Sequence, residues 1–140
     1  MKAVTYDQFG GPDVLRMADI PEPKIAQNSV MIRVVTAGVN PADAALRAGA
    51  GRVFMDTWFP VVPGWDVAGV VEAVGAGVHE FATGDEVIGY LYSETLHSGA
   101  YAEWAVGPAE RFTIKPAKLS WDEAAALPLA GLTAVQSLRA

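Results

Sequence analysis

A mainly β fold of the α+β class, a partly open barrel with short helices at its periphery, is what the sequence predicts. Three observations predict it. β-branched and aromatic residues recur in short runs along the whole chain, glycine and proline punctuate those runs (14 Gly, 9 Pro), and apolar residues fall at helical spacing only in brief stretches. With 140 residues, 51% of them hydrophobic, the chain is the size of one domain with one core, and no second domain fits.

Met1 to Tyr6 and Val14 to Ile20 read as strands around the turn residues Gly10-Gly11-Pro12-Asp13. Pro21-Glu22-Pro23 then breaks the chain before the β-branched stretch Val30 to Val39. Asn40-Pro41 gives an N-cap followed by proline in the first turn, which predicts a helix over Ala42 to Ala48 that Gly49 ends. Gly49 to Pro60 reads as an irregular loop, and Phe54, Met55, Trp58 and Phe59 make it more apolar than solvent alone requires. Val67 to Val74 is nearly all small or β-branched and reads as a strand buried on both faces.

Gly84-Asp85 turns the chain into a strand over Glu86 to Tyr90, and Ala100 to Val106 and Arg111 to Ile114 read as further strands. Strands of this number and length predict a partly closed barrel. Ser120 and Glu123 have the capping-box spacing, so a helix from Trp121 to Leu127 is predicted, ended by Pro128. A last helix starts near Leu129 or Ala130 and runs to Ala140, with Leu129, Leu132, Val135 and Leu138 along one side and no stop signal behind them. That stripe either covers the barrel or packs on something else; left uncovered, it favours self-association.

Composition excludes several functions. Net charge is −6 with single, scattered Lys and Arg, which argues against nucleic acid and anionic membranes as partners. Zero cysteines rules out disulfides and thiolate metal sites. No apolar run has the length of a signal peptide core or a membrane span, so a soluble, cytoplasmic protein is expected. Gly75-Ala76-Gly77 is a turn rather than a phosphate-binding loop, because Glu80 stands where a third glycine would be. The two histidines, His79 and His97, have no ligand partner at helical or hairpin spacing, and no metal site is expected.

Five segments carry a family resemblance: VNPADAALRAG at 39–49, PGWDVAGVVEAVG at 63–75, FATGDEV at 81–87, GAYAE at 99–103 and LSWDEAAALPLAGLTA at 119–134. Together they resemble the N-terminal, GroES-like half of the zinc-free medium-chain dehydrogenases/reductases, which include NADPH:quinone oxidoreductases and related enone reductases. The resemblance implies a GroES-like substrate-binding, catalytic domain over 1–128. Residues 129–140 would be the start of a connector helix toward a dinucleotide-binding (Rossmann) domain that these residues lack.

It implies NADPH as cofactor, held mainly by that other domain, no zinc, and a small hydrophobic carbonyl or quinone as substrate. The partner is expected to be a second copy of the chain or a paired nucleotide-binding domain. Zinc alcohol dehydrogenases are similar but carry a His-Glu pair where this chain has Trp65-Asp66, and Trp65 cannot ligate a metal. Without a Lewis acid, the substrate's own conjugation has to take up the charge that arrives with a hydride.

The resemblance assigns Asn40 a place beside the nicotinamide, as catalytic and cofactor-binding residue; its position before Pro41 explains it equally as a helix cap. It likewise assigns Thr133, in the intact Gly131-Leu132-Thr133-Ala134, and Leu129 to the cofactor. Asp43 and Arg47 read as structural. Phe54, Trp58, Phe59, Trp65 and Tyr90 are the expected substrate pocket, a flat apolar surface for a ring or chain, although each is accounted for as well by the core. A binding module without catalysis, or one chain of a two-chain reductase, remains the alternative.

Overall fold

The structure, a computed structural model, describes all of residues 1–140. The chain opens with a ribbon in which β1 (Lys2–Thr5) pairs antiparallel with β2 (Arg16–Asp19). Pro12–Val14 forms a single 3-10 turn between them, so the second strand starts two residues later than its apolar sequence suggests.

Five antiparallel strands then build the main sheet. They are β3 (Ser29–Gly38), β5 (Asp66–Val74), β6 (Glu86–Tyr90), β8 (Trp104–Pro108) and β9 (Phe112–Ile114), in the order β8-β3-β5-β6-β9. The two edge strands β8 and β9 are joined by one 3-10 turn, Ala109–Arg111. A connection that short between opposite edges forces the sheet to curl on itself, which gives a partly open barrel. Register shifts in the β3–β5 pairing at Met31/Ile32 and Val34/Thr36 add local bend.

The core inside the curl is β-branched, with Val30, Ile32, Val67, Val71 and Val87 fully or almost fully buried around Phe112. Each such side chain stabilises the fold by roughly 1.5–3 kcal/mol through burial. The first half of β5 is buried on both faces, as its sequence predicts; the second half reaches solvent at Glu72. A second cluster, Tyr6, Leu46, Met55, Val61, Trp65 and Leu96, fills the space between the ribbon, helix and loops at one end of the barrel.

Three helices flank the sheet: α1 (Pro41–Arg47), α2 (Trp121–Ala125) and α3 (Pro128–Arg139). Gly49 follows α1 with φ +98, the left-handed conformation that ends a helix at low cost in glycine. At α2 the predicted capping box forms in full, with Glu123 N–H donating to Ser120 Oγ and Ser120 N–H to Glu123 Oε2. α2 packs its Ala124 and Ala125 on Ala68 and Ile88. It comes so close that a Cβ at Gly38 would meet the Ala125 carbonyl oxygen at 2.5 Å.

Four sequence expectations are corrected. The strand expected over Ala100 to Val106 lies at Trp104–Pro108, because Ala100 and Tyr101 spend their N–H groups on the Gly64 and Pro63 carbonyls instead of on a neighbouring strand. The loop at 49–60 contains a 3-10 turn, Ala50–Val53, and β4 (Asp56–Thr57), which pairs parallel with β7 (Thr95–Leu96). α2 stops at Ala125 rather than Leu127. Pro128 does not end α2 but opens α3, in the first-turn position where its missing N–H costs nothing.

Candidate functional site

β3 ends at Gly38, directly opposite Asp66, the first residue of β5. From there the chain turns through Val39 into Asn40, the N-cap of α1. α3 arrives at the same place from the other end of the sequence. The three segments are tied together by one carboxylate.

Asp66 is fully buried. Its Oδ2 accepts from Asn40 Nδ2 at 2.9 Å, and its Oδ1 accepts from the Leu129 backbone N–H, also at 2.9 Å. The partners lie 26 positions before it and 63 after it in sequence. The choice of residue follows from what must be satisfied: a side-chain amide and a helix-opening N–H are both donors, and a carboxylate has two oxygens for them. The first turn of α3 also carries the positive end of the helix dipole, which favours a negative group there. Burial raises the Asp66 pKa, the bonds from Asn40 and Leu129 pull it partly back, and the charge of Asp43 adds to the rise.

Asp43 is the second buried acid. Its Oδ2 accepts from the Asn40 backbone N–H at 2.7 Å and from the Tyr101 hydroxyl at 3.0 Å. It therefore fixes the start of α1 by direct bonds, with the helix dipole as support. Burial, then the negative charge of Asp43, pushes the Tyr101 hydroxyl well above its ordinary pKa. Tyr6, on the other side of α1, is pushed up to about 12 by burial, with Arg47 opposing. Arg47 donates its Nε–H to the Gly10 carbonyl at 3.2 Å and so ties the end of α1 to the opening ribbon.

Asn40 and Leu129 thus meet at Asp66, and Thr133 lies exposed one helical turn beyond Leu129 on the same side of α3. Of the five expected pocket residues, Trp65 and Tyr90 touch each other, and the five do not line one common cleft. Trp65 is buried in the second core cluster, edge-on to both Tyr90 and Tyr92 at centroid distances of 6.2 and 5.2 Å. Phe59 packs edge-on against Tyr6 and Phe9. Phe54 is exposed, and Trp58, 63% exposed, borders a cleft of about 570 Å³ with Leu91, Tyr92 and Arg111.

Tyr90 lines a different cleft, of about 490 Å³, between α3 and the β6–β9 edge, together with Phe112, Leu127, Leu132 and Val135. Its pKa is raised by burial first and by Asp66, its cross-strand neighbour, second. Asp66 is the site residue that sequence reasoning missed, and its signal was a lone carboxylate at the head of an apolar run. No cluster of three or more His, Cys, Asp or Glu side chains is arranged to hold a metal ion.

The chain is similar to known proteins over almost its whole length. It is 40% identical to the 2-methylene-furan-3-one reductase of Solanum lycopersicum, over 99% of this chain and 37% of that protein. It is 39% identical to the chloroplastic NADPH-dependent alkenal/one oxidoreductase of Arabidopsis thaliana, with the same coverage. The structure superposes on the quinone oxidoreductase of Coxiella burnetii with a TM-score of 0.88 and 36% identity, over 99% of this chain and 44% of that one. The chain therefore spans about two fifths of the length of the relatives it matches. Residues 26–117 match the model of the alcohol dehydrogenase GroES-like domain, and the chain belongs to that family.

Proposed function

We infer that this chain is the substrate-binding half of a zinc-independent, NADPH-dependent oxidoreductase that reduces quinones or conjugated enones by hydride transfer. The observation that carries the reading is the junction at Asp66. It brings the segment containing Asn40 against the first turn of the helix that carries Thr133. The names of the relatives, a furanone reductase, an alkenal/one oxidoreductase and a quinone oxidoreductase, support the same substrate class.

The residues present fit a nicotinamide. A carboxamide offers one acceptor and two donor hydrogens. The Asn40 amide, with one N–H held by Asp66, and the exposed Thr133 hydroxyl together supply groups of both kinds. NADPH, when bound, supplies the hydride. Asn40 orients: its amide is fixed at both ends of the residue, by Asp66 through the side chain and by Asp43 through the backbone N–H. Tyr90 and the apolar face of α3 line a cleft that would take an apolar ring or chain. No chain group needs to act as a Lewis acid, because a quinone or enone delocalises the incoming charge onto its own oxygen.

The test uses the natural gene product that carries these residues. NADPH oxidation is followed with a quinone, a conjugated enone and the corresponding saturated ketone. Turnover of the first two, negligible turnover of the third, and rates unchanged after metal chelation are expected. Asn40→Ala should lower kcat by roughly tenfold to a hundredfold, the cost of a mispositioned reactant, when assayed well below its unfolding midpoint, which falls because buried Asp66 loses one of its two donors. Preference for the saturated ketone, or loss of activity on chelation, would falsify the reading.

A further inference from the structure

Of the carboxylates in the chain, Asp66 alone has no solvent exposure, and it faces no cation. The sheet does not require a charge there. The rest of the buried half of β5 is Val67, Ala68 and Gly69, and an apolar residue at position 66 would avoid the desolvation that raises its pKa.

We propose that Asp66 is a positioning residue for the hydride transfer inferred above: taking one donor from Asn40 and one from Leu129, it holds the Asn40 amide and the first turn of α3 as one rigid unit. The proposal rests on the oxidoreductase reading. It adds that the asparagine works only while the buried carboxylate holds it. Asp66 touches neither substrate nor cofactor; it acts through Asn40 and through the helix that carries Thr133.

The geometry makes the carboxylate irreplaceable by its amide. Asparagine at position 66 has one acceptor and one donor end. The Leu129 N–H belongs to the backbone and cannot turn, so the new oxygen goes to it and the new NH2 group faces the NH2 of Asn40, donor against donor. Flipping Asn40 would offer its oxygen to the new NH2 group, but it would turn the Asn40 NH2 toward the first turn of α1, whose own free N–H groups are donors as well. Exchanging both residues, Asn40→Asp with Asp66→Asn, restores the pairings at the junction with the roles reversed, yet removes the amide from position 40. The exchange therefore separates the latch from the chemistry.

Nitrogen- and carbon-labelled NMR of the 140-residue chain tests the latch directly. As pH is varied, the Asn40 side-chain amide and the Leu129 backbone amide should shift with one common midpoint, that of the Asp66 carboxyl carbon, above the ordinary aspartate value. Asp43 on α1, Tyr90 on β6 and Tyr101 before β8 also face this group. On α2, Asp122 and Glu123 are engaged with Thr36 and Ser120.

In the NADPH-loaded parent, Asp66→Asn should lower kcat by roughly tenfold to a hundredfold with little change in substrate KM. The double exchange should restore the Leu129 amide shift and the unfolding midpoint, but not kcat. Two different midpoints for the two amides in the wild-type chain overturn the proposal, and so does Asp66→Asn turning over at the parental rate. The wild-type titration needs no variant, so misfolding of Asp66→Asn leaves a decisive measurement. A parent that never oxidises NADPH with any quinone or enone overturns the functional reading, and the positioning role with it. An active parent with an indifferent Asp66→Asn overturns the positioning role alone.

Discussion

Tyr101 donates its hydroxyl to a buried carboxylate that also receives the Asn40 N–H, so removing that hydroxyl withdraws one of two donors from Asp43. Tyr101→Phe should cost about 1–3 kcal/mol in urea unfolding, the range for a buried acceptor that loses a partner; no measurable cost would mean that water replaces the hydroxyl. The Asp66 carboxyl leaves a pH signature whose sign is fixed. Its folded pKa lies above the ordinary value of 3.8, so ionising it costs the folded chain more than the unfolded one. Its stabilising share is whole below that ordinary value and is lost as pH rises through the folded-state value. The stability margin of wild type over Asp66→Asn should shrink as pH rises through this window; a margin that widens contradicts the assignment. Asn40, Leu129 and Thr133 are candidates from the family resemblance, and the structure brings the first two together at Asp66. Asp66, within PGWDVAG, has no local signal beyond its place at the head of an apolar run. Alternation along a strand says that neighbours face opposite ways, not which of them faces a helix arriving 63 residues later.

Elements whose signals are local were readable in advance. The Ser120/Glu123 box, the Asn40-Pro41 helix start and the Gly49 stop each depend on residues within four positions, and each forms. Ser120→Ala should destabilise the fold by about 1 kcal/mol, the usual worth of an N-cap, measured as a shift in thermal midpoint. A larger effect is expected at Lys115, whose buried ammonium joins Glu86 at 3.1 Å, the Leu119 carbonyl at 3.0 Å and the face of Trp121 at 4.9 Å, so that it clasps α2 to the sheet. Lys115→Ala should cost more than Glu86→Gln, because Glu86 is half exposed and solvent compensates its loss; equal costs would remove the clasp. The two-residue strands β4 and β7 were unreadable, since Asp56–Thr57 finds its partner at Thr95–Leu96 and nothing in either pair announces it. The shift of β8 has the same origin: backbone bonds from Ala100 and Tyr101 to Gly64 and Pro63 are long-range events that strand propensity cannot register.

At the scale of the molecule, α3 carries Leu132, Val135 and Leu138 exposed along one side, beside the apolar cleft at the β6–β9 edge. In dilute buffer this 140-residue chain should associate with itself through that surface. Leu132→Glu with Leu138→Glu should shift it toward monomer in sedimentation velocity without lowering its thermal midpoint, and an unchanged sedimentation coefficient would place the contact elsewhere. The molecule also divides its labour in space. The Asn40–Asp66–Leu129 junction is anchored in two strands and two helix starts, whereas Phe54 and Trp58 stand exposed on the connection between α1 and β5. Mutations at the exposed Val53, Phe54 and Trp58, though not at the buried Met55 between them, can therefore accumulate without disturbing the junction. For directed evolution this makes those three exposed positions the place to randomise, and the ends of β3 and β5 the place to leave alone.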